Sequence, residues 1–415
     1  MINKAKYLMS LMLAGSILFF YGCNGDDDSP PVALTLQSMM AGSVDLNAAT
    51  SPTNVPPDAP ITATFSTEVD PATANNSNIT LTRDYDDADI PINVTASGNT
   101  VTITPTETLG PGTLYELNIG GGLESTQGQA LTPISRTFTT AGSFAPAGVI
   151  AHWTFDDTAE DVVGNFDPAA EDIIDITYVD SRKPDAGKAA SFNGTTSIIE
   201  VPNGDQLMAG DDFSLSFWIN ASSEKDGHFV MGLAAWHGFQ FEIAGDWSWV
   251  KLATRYAVPG GTDAEDTWYP GNGETRDNGG WQGNTFNKDV TATGGVGQTY
   301  FIDKWAHVVC TYDSESKVGR MYINGERVRE FDFNLWPDDS PKKNATGVAY
   351  DGNPAPGNKL AFGFIQSREN PIILDEWAQY ATGNGHFRGL LDDIRIFNTA
   401  IDQTEVTLMY NSERP

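Results

Sequence analysis

From residue 51 onward, apolar and polar positions alternate with a period of two in short runs that stop at Gly, Pro, Asn or Asp. ITATF (61–65), ITLT (79–82), INVT (92–95), VTITP (101–105), LYEL (114–117) and RTFTT (136–140) each have the length of one strand. Further runs begin at 149 (VIAHW), 189, 198, 213 (FSLSFWI), 305 (WAHVV) and 321 (MYINGERV), the last with an Asn324-Gly325 hairpin turn. The pattern predicts an all-β protein of two domains, 51–140 and 149–415. Between them lies a small-residue linker, AGSFAPAG, at 141–148.

The last run, LLDDIRIF (390–397), carries large apolar groups on both faces, as a strand between two layers should. Strict alternation puts Asp392 beside Leu390, Ile394 and Ile396. A buried carboxylate there needs a partner: a cation, backbone N–H groups or an arginine. Asp402 and Glu405 then have the N-cap and N3 spacing of a capping box, which predicts a short closing helix.

Two stretches break the strand pattern. Residues 236–300 hold Trp236, Trp247, Trp249, Trp268, Tyr269 and Trp281 among many Gly, Asp and Asn, and residues 335–386 hold Trp336, Tyr350, Trp377 and Tyr380. Both are expected to be long loops on a rigid scaffold, where binding residues concentrate.

The 415 residues carry a net charge of −31, spread along the chain. Such a surface repels nucleic acid and anionic lipid. Glycine, threonine and aromatic residues outweigh the helix formers, in keeping with an all-β chain. Asp84, Asp86, Asp87 and Asp89 lack the glycine of an EF-hand loop and read as a solvated acidic turn.

At the N-terminus, Lys4 and Lys6 precede an apolar run over 7–21 that ends in Gly22-Cys23. The pattern resembles a bacterial lipoprotein signal, with residues 1–22 removed and Cys23 lipidated. The acidic run from Asn24 resembles the surface-export signal of Bacteroidetes-type lipoproteins, and residues 23–50 read as an acidic flexible tether. The expectation is an outer-membrane lipoprotein exposed on the cell surface. With Cys23 acylated, Cys310 has no disulfide partner and is expected to be an inert core thiol.

The segments PPDAPITATFSTEVDPAT, LGPGTLYELNI, GGLESTQGQAL and RTFTT resemble bacterial Ig-like domains of the surface-layer type, which implies an Ig-like sandwich acting as a spacer. The C-terminal region resembles laminin G-like, concanavalin A-type jelly rolls. HWTFDD, SFNGT, FSLSFWI, WAHVVCTYD and MYING stand in that family's order. Phe387, Gly389, Leu391, Asp392, Asp393, Ile394, Arg395, Ile396, Phe397, Asn398, Ala400 and Ile401 fill its closing motif. The resemblance implies calcium where the first and last strands meet, at the positions matching Asp156 and Asp392. It also implies binding of a glycan or of other surface proteins.

Sugar C–H faces stack on indole and phenol rings while Asn, Asp and Gln bond hydroxyls. Trp247, Trp249, Trp268, Tyr269, Trp281 and Trp336 are therefore the expected carbohydrate contacts, with packing of the long loops as their other role. No catalytic residue is assigned. The closely spaced Glu-x-Asp-x-Glu motif of the laminarinase-like branch is absent, and the five histidines have neither metal-protease spacing nor a nucleophile elbow. The leading expectation is non-catalytic polysaccharide capture at the cell surface; a protein-binding adhesin and a glycoside hydrolase are the alternatives.

Overall fold

In the N-terminal domain, alternation buries Ile61, Ala63 and Phe65 against Val101, Ile103, Leu117 and Phe138. A computed structural model of the chain describes residues 32–48, 51–275, 283–352, 357–368 and 379–415. Five strands form one sheet in the order Val44–Asp45, Leu36–Ala41, Ile61–Phe65, Thr100–Pro105, Ile92–Ser97. Four form the other: Ala88–Asp89, Ile79–Arg83, Leu114–Ile119, Ile134–Thr139. The sandwich therefore starts before residue 51, and residues 36–45 belong to it although that stretch was expected to be tether. Leu36–Ala41 pairs with Ile61–Phe65 and buries Met39 and Ala41. A register shift between Leu36 and Ser38 breaks its alternation, which hides it in the sequence. The acidic turn is as expected: Asp86 pairs with Arg83 at the surface.

The C-terminal domain stacks two larger antiparallel sheets. One runs Thr177–Asp180, Lys188–Asn193, Arg388–Phe397, Phe213–Ala221, Trp305–Asp313, Val318–Ile323, Glu326–Asp332, Asn284–Asn287, with Val149–Trp153 also paired to Arg388–Phe397. The other runs Ile173–Ile174, Ile198–Val201, Leu360–Phe362, His228–Leu233, Phe239–Ile243, Val250–Val258, Gly261–Tyr269. Between them lies one apolar core that includes Trp153, Phe217, Phe241, Tyr256, Phe362 and Ile394. Each such side chain contributes about 1.5–3 kcal/mol by leaving water. Cys310 lies in this core, and burial pushes its thiol far up.

Arg388–Phe397 is the hub, yet its faces differ from strict alternation. Leu391, Ile394 and Ile396 all point into the core. The switch happens at a bulge: Trp218 pairs with Asp392 and Ser216 with Arg395, so two residues stand opposite Phe217 alone, and Asp393 takes φ 46°. Asp392 therefore does not share a face with the isoleucines. It faces outward, where Ser181 and Arg182 donate to its Oδ2. Gly389, the second residue of the strand, takes φ 147°, where a Cβ would lie 2.2 Å from the Asn220 carbonyl.

The helix Gln403–Glu413 closes over this outer face, with the capping box of Asp402 and Glu405 in place. Beneath it, Arg395 Nη1 donates to Glu413 Oε1 (2.6 Å), Trp218 Nε1 to Glu413 Oε2 (2.8 Å), and Arg182 Nη2 to Asp393 Oδ2 (2.7 Å). The linker joins in: Phe144 is buried with Phe397, Val406 and Met409, and Tyr85 of the first domain meets it edge-on at 5.4 Å.

Residues 236–300 are not mainly loop. They supply Phe239–Ile243, Val250–Val258 and Gly261–Tyr269, three consecutive strands at one end of the second sheet.

Candidate functional site

Those three strands have an inner face of Phe239, Phe241, Ile243, Val250, Leu252 and Tyr269, all in the core. Period two then places Gln240, Glu242, Trp249, Lys251, Asp266 and Trp268 on the outer face. Register sets Glu242 opposite Lys251 and Lys251 opposite Trp268. Lys251 Nζ lies 3.4 Å from Glu242 Oε2 and 3.7 Å from Asp266 Oδ1. The same ammonium sits 4.8 Å from the ring centre of Trp236 and 5.9 Å from that of Trp249. Trp249 and Trp268 stack, with centroids 4.8 Å apart and planes 19° apart. The result is a row of half-buried indoles over a buried charged layer.

Burial pushes the Glu242 carboxyl up, against the pull of Lys251 and the Gln240 amide. Trp236 takes φ 70°, rare for a bulky residue, and is held there by its N–H on Gln240 Oε1 (2.9 Å).

Past Trp268 the edges of the two sheets meet around a cavity of about 190 Å³, lined by Trp268, Pro270, Asn272, Glu274, Asn284, Asn287 and Arg329. Arg329 holds the wall: its Nε donates to the Trp268 carbonyl (2.6 Å), its Nη1 to Asn284 Oδ1 and the Glu330 carbonyl (2.6 Å). Asn284 and Asn287 both donate to the Glu274 carbonyl, at 2.8 and 3.1 Å.

The other expected contacts separate. Tyr269 follows Trp268 by one residue, so it points inward and is fully buried; it is not a surface contact. Trp247 and Trp336 pack against the core from its rim, Trp247 on His228 and Trp336 on Phe333. Trp281 and Cys23 lie outside the described residues. Asp156 is exposed, with Oδ1 accepting from the Lys188 N–H (2.7 Å), while Asp392 is buried against Arg182. Among the described residues no group of three or more His, Cys, Asp or Glu side chains is placed to hold a metal ion.

The sequence reading names Trp249 and Trp268 but not Trp236, Lys251, Glu242, Asn284, Asn287 or Arg329 as binding residues. The alternation of FQFEI and WVKLATRY was the available signal for Glu242 and Lys251. Arg329 joins the site only through tertiary packing.

A comparison with curated proteins finds no match to the chain. Among solved structures, domain 4 of AbnA, a GH43 extracellular arabinanase from Geobacillus stearothermophilus in complex with arabinotriose, aligns at TM-score 0.34 and 20% identity, covering 63% of this chain and 98% of that one. The receptor binding domain of botulinum neurotoxin type G aligns at TM-score 0.37 and 15% identity, covering 64% of this chain and 51% of that one. The binding domain of Paraclostridial Mosquitocidal Protein 1 aligns at 0.41 and 16%, covering 64% and 52%. The chain thus spans about half the length of the two toxin domains. At these TM-scores the structures carry no argument about a ligand. Two family models match by sequence: the bacterial Ig-like domain over residues 44–140 and the concanavalin A-like lectin/glucanases superfamily over residues 193–358. With the sheets described above, the chain is an Ig-like β-sandwich followed by a concanavalin A-like jelly roll.

Proposed function

We propose that the C-terminal domain binds a polysaccharide without cleaving it, on the outer face formed by Trp236, Trp249 and Trp268. The carrying observation is the stacked Trp249–Trp268 pair, which lies beside a polar cavity on the rigid sheet. Indoles fixed by a sheet and by Lys251 present flat apolar area to sugar C–H groups at little entropic cost. The lectin-containing superfamily that matches residues 193–358 is in keeping with this reading. In the same proposal the Ig-like domain is a spacer, and a lipid on Cys23 tethers the chain to the outer face of the outer membrane.

A glycan array probed with the full chain tests the reading. Binding to one glycan class, lost in the Trp249→Ala and Trp268→Ala variants, is the expected result; an array without binding to folded protein sinks it.

A second reading, glycoside hydrolysis, has one observation in its favour. The raised Glu242 carboxyl and Asp266 flank Lys251 beneath the indoles. Release of reducing ends from any bound glycan, abolished by Glu242→Gln, would establish it in place of simple binding.

A further inference from the structure

The cavity beside Trp268 is lined by a buried guanidinium, Arg329, that forms no ion pair among the described residues. Arg329 is 3% exposed, and its three hydrogen bonds all end on neutral oxygens. None of the ion pairs among the described residues includes it. Glu265, the carboxylate whose charge reaches it, is held by Lys342 at 2.5 Å. Burial lowers its pKa to about 10, so the guanidinium stays charged at neutral pH. Among the described residues its Nη2 makes no hydrogen bond. A buried charge left in this state is costly, and a counter-ion entering the cavity would relieve that cost.

Asn287 supplies a second open group. It is 5% exposed and lines the same cavity; its Nδ2 donates to Asn272 Oδ1 (2.7 Å) and the Glu274 carbonyl, while its Oδ1 has no partner among the described residues. The cavity thus offers N–H donors for an anion, an acceptor for a hydroxyl, and the Trp268 ring as a wall, with Glu274 the one acidic residue of its lining. Its volume of about 190 Å³ is below the ~300–1,000 Å³ of drug-sized sites, so it suits one sugar ring rather than a chain segment.

We propose that the polysaccharide is acidic and that this cavity receives one uronic acid unit, its carboxylate on Arg329 Nη2 and a hydroxyl on Asn287 Oδ1. The inference rests on the carbohydrate reading above, with which it shares Trp268. A carboxylate is the charged group that a sugar ring carries directly, and a charge-assisted bond to a desolvated guanidinium is among the stronger polar contacts. The chain's net charge of −31 sharpens the point. A surface this acidic repels a polyanion at long range, so selection must come from a local, water-poor cation.

The test titrates the full chain with oligomers of galacturonic and mannuronic acid, each beside its methyl ester, and with a sulfated galactan of equal length. The free acid is expected to bind about tenfold or more tighter than its ester. Arg329→Gln should erase that preference and keep ester binding. Asn287→Asp, which sets a carboxylate against the ligand's own, should weaken the acid about tenfold or more; it decides the matter if Arg329→Gln does not fold. Equal binding of acids and esters overturns the inference and leaves the carbohydrate reading standing. Preference for the sulfated galactan overturns the carboxylate assignment. No binding by any of these oligomers to folded protein overturns the inference, while the glycan array decides the carbohydrate reading.

Discussion

Two places in the jelly roll hold buried arginines, and they are treated differently. Under the C-terminal helix, Arg182 and Arg395 meet Asp392, Asp393 and Glu413, so each guanidinium has carboxylates within ion-pair distance. At the sheet edge near Trp268, the hydrogen bonds of Arg329 among the described residues all end on neutral oxygens, beside an open cavity. A network closed by its own counter-charges holds structure together. A buried charge left open is a cost that folding alone does not explain, and it marks where a ligand belongs.

The sharpest way to break this contrast is to open the closed network. Arg395→Gln leaves Asp393 and Glu413 short of a cation and is expected to cost about 3–5 kcal/mol in chemical denaturation, without changing glycan affinity. The same network is exposed by acid. His307 stacks on Trp218 beneath the helix, and burial, aided by the Arg395 and Arg182 charges, lowers its pKa to about 3. Burial likewise lowers His228, in the second sheet, to about 4. Unfolded histidine titrates near ~6.5, so below that pH the unfolded chain binds more protons than the folded one. Stability should therefore fall as pH drops from 6.5, by about 1–2 kcal/mol per histidine at pH 5; a flat profile between pH 7 and 5 would contradict the burial of these rings.

The same change at the other place should cost far less. Arg329→Gln removes three hydrogen bonds but also an unpaired buried charge, and a net change within about 1.5 kcal/mol is expected. A loss as large as that of Arg395→Gln would make Arg329 a structural residue. The smallest effect concerns calcium. Since Arg182 already serves Asp392, melting curves in calcium and in chelator should superimpose; an upward shift in calcium would restore a cation to the Asp156 and Asp392 positions.

Much of the architecture was readable because framework strands carry local signals: alternation, an Asn-Gly turn, a capping box, a closing motif. What was not readable depends on one-residue offsets and distant partners. A bulge at Asp392 and Asp393 reverses the faces that strict alternation assigns. The arginine that meets Asp392 comes from 210 residues earlier. In the site, Trp268 and Tyr269 are equivalent as aromatic residues in a polar stretch, yet the strand sends one outward and the other into the core. Reading residues 236–300 as loop removed the period that separates them. Glycines and acidic residues in that stretch mimic a loop because its strands lie at one end of their sheet, with an outer face that mixes indoles with charged and amide side chains.

The central claim is that the Trp249–Trp268 face is a binding surface and the core rim is not. Glycan affinity and melting temperature measured side by side for Trp268→Ala and Trp336→Ala test it most directly. The account predicts that Trp268→Ala loses about 2 kcal/mol of binding, roughly thirty-fold, with little change in melting temperature. Trp336→Ala should do the reverse, melting earlier and binding as before. Unchanged affinity in a folded Trp268→Ala protein would contradict the account.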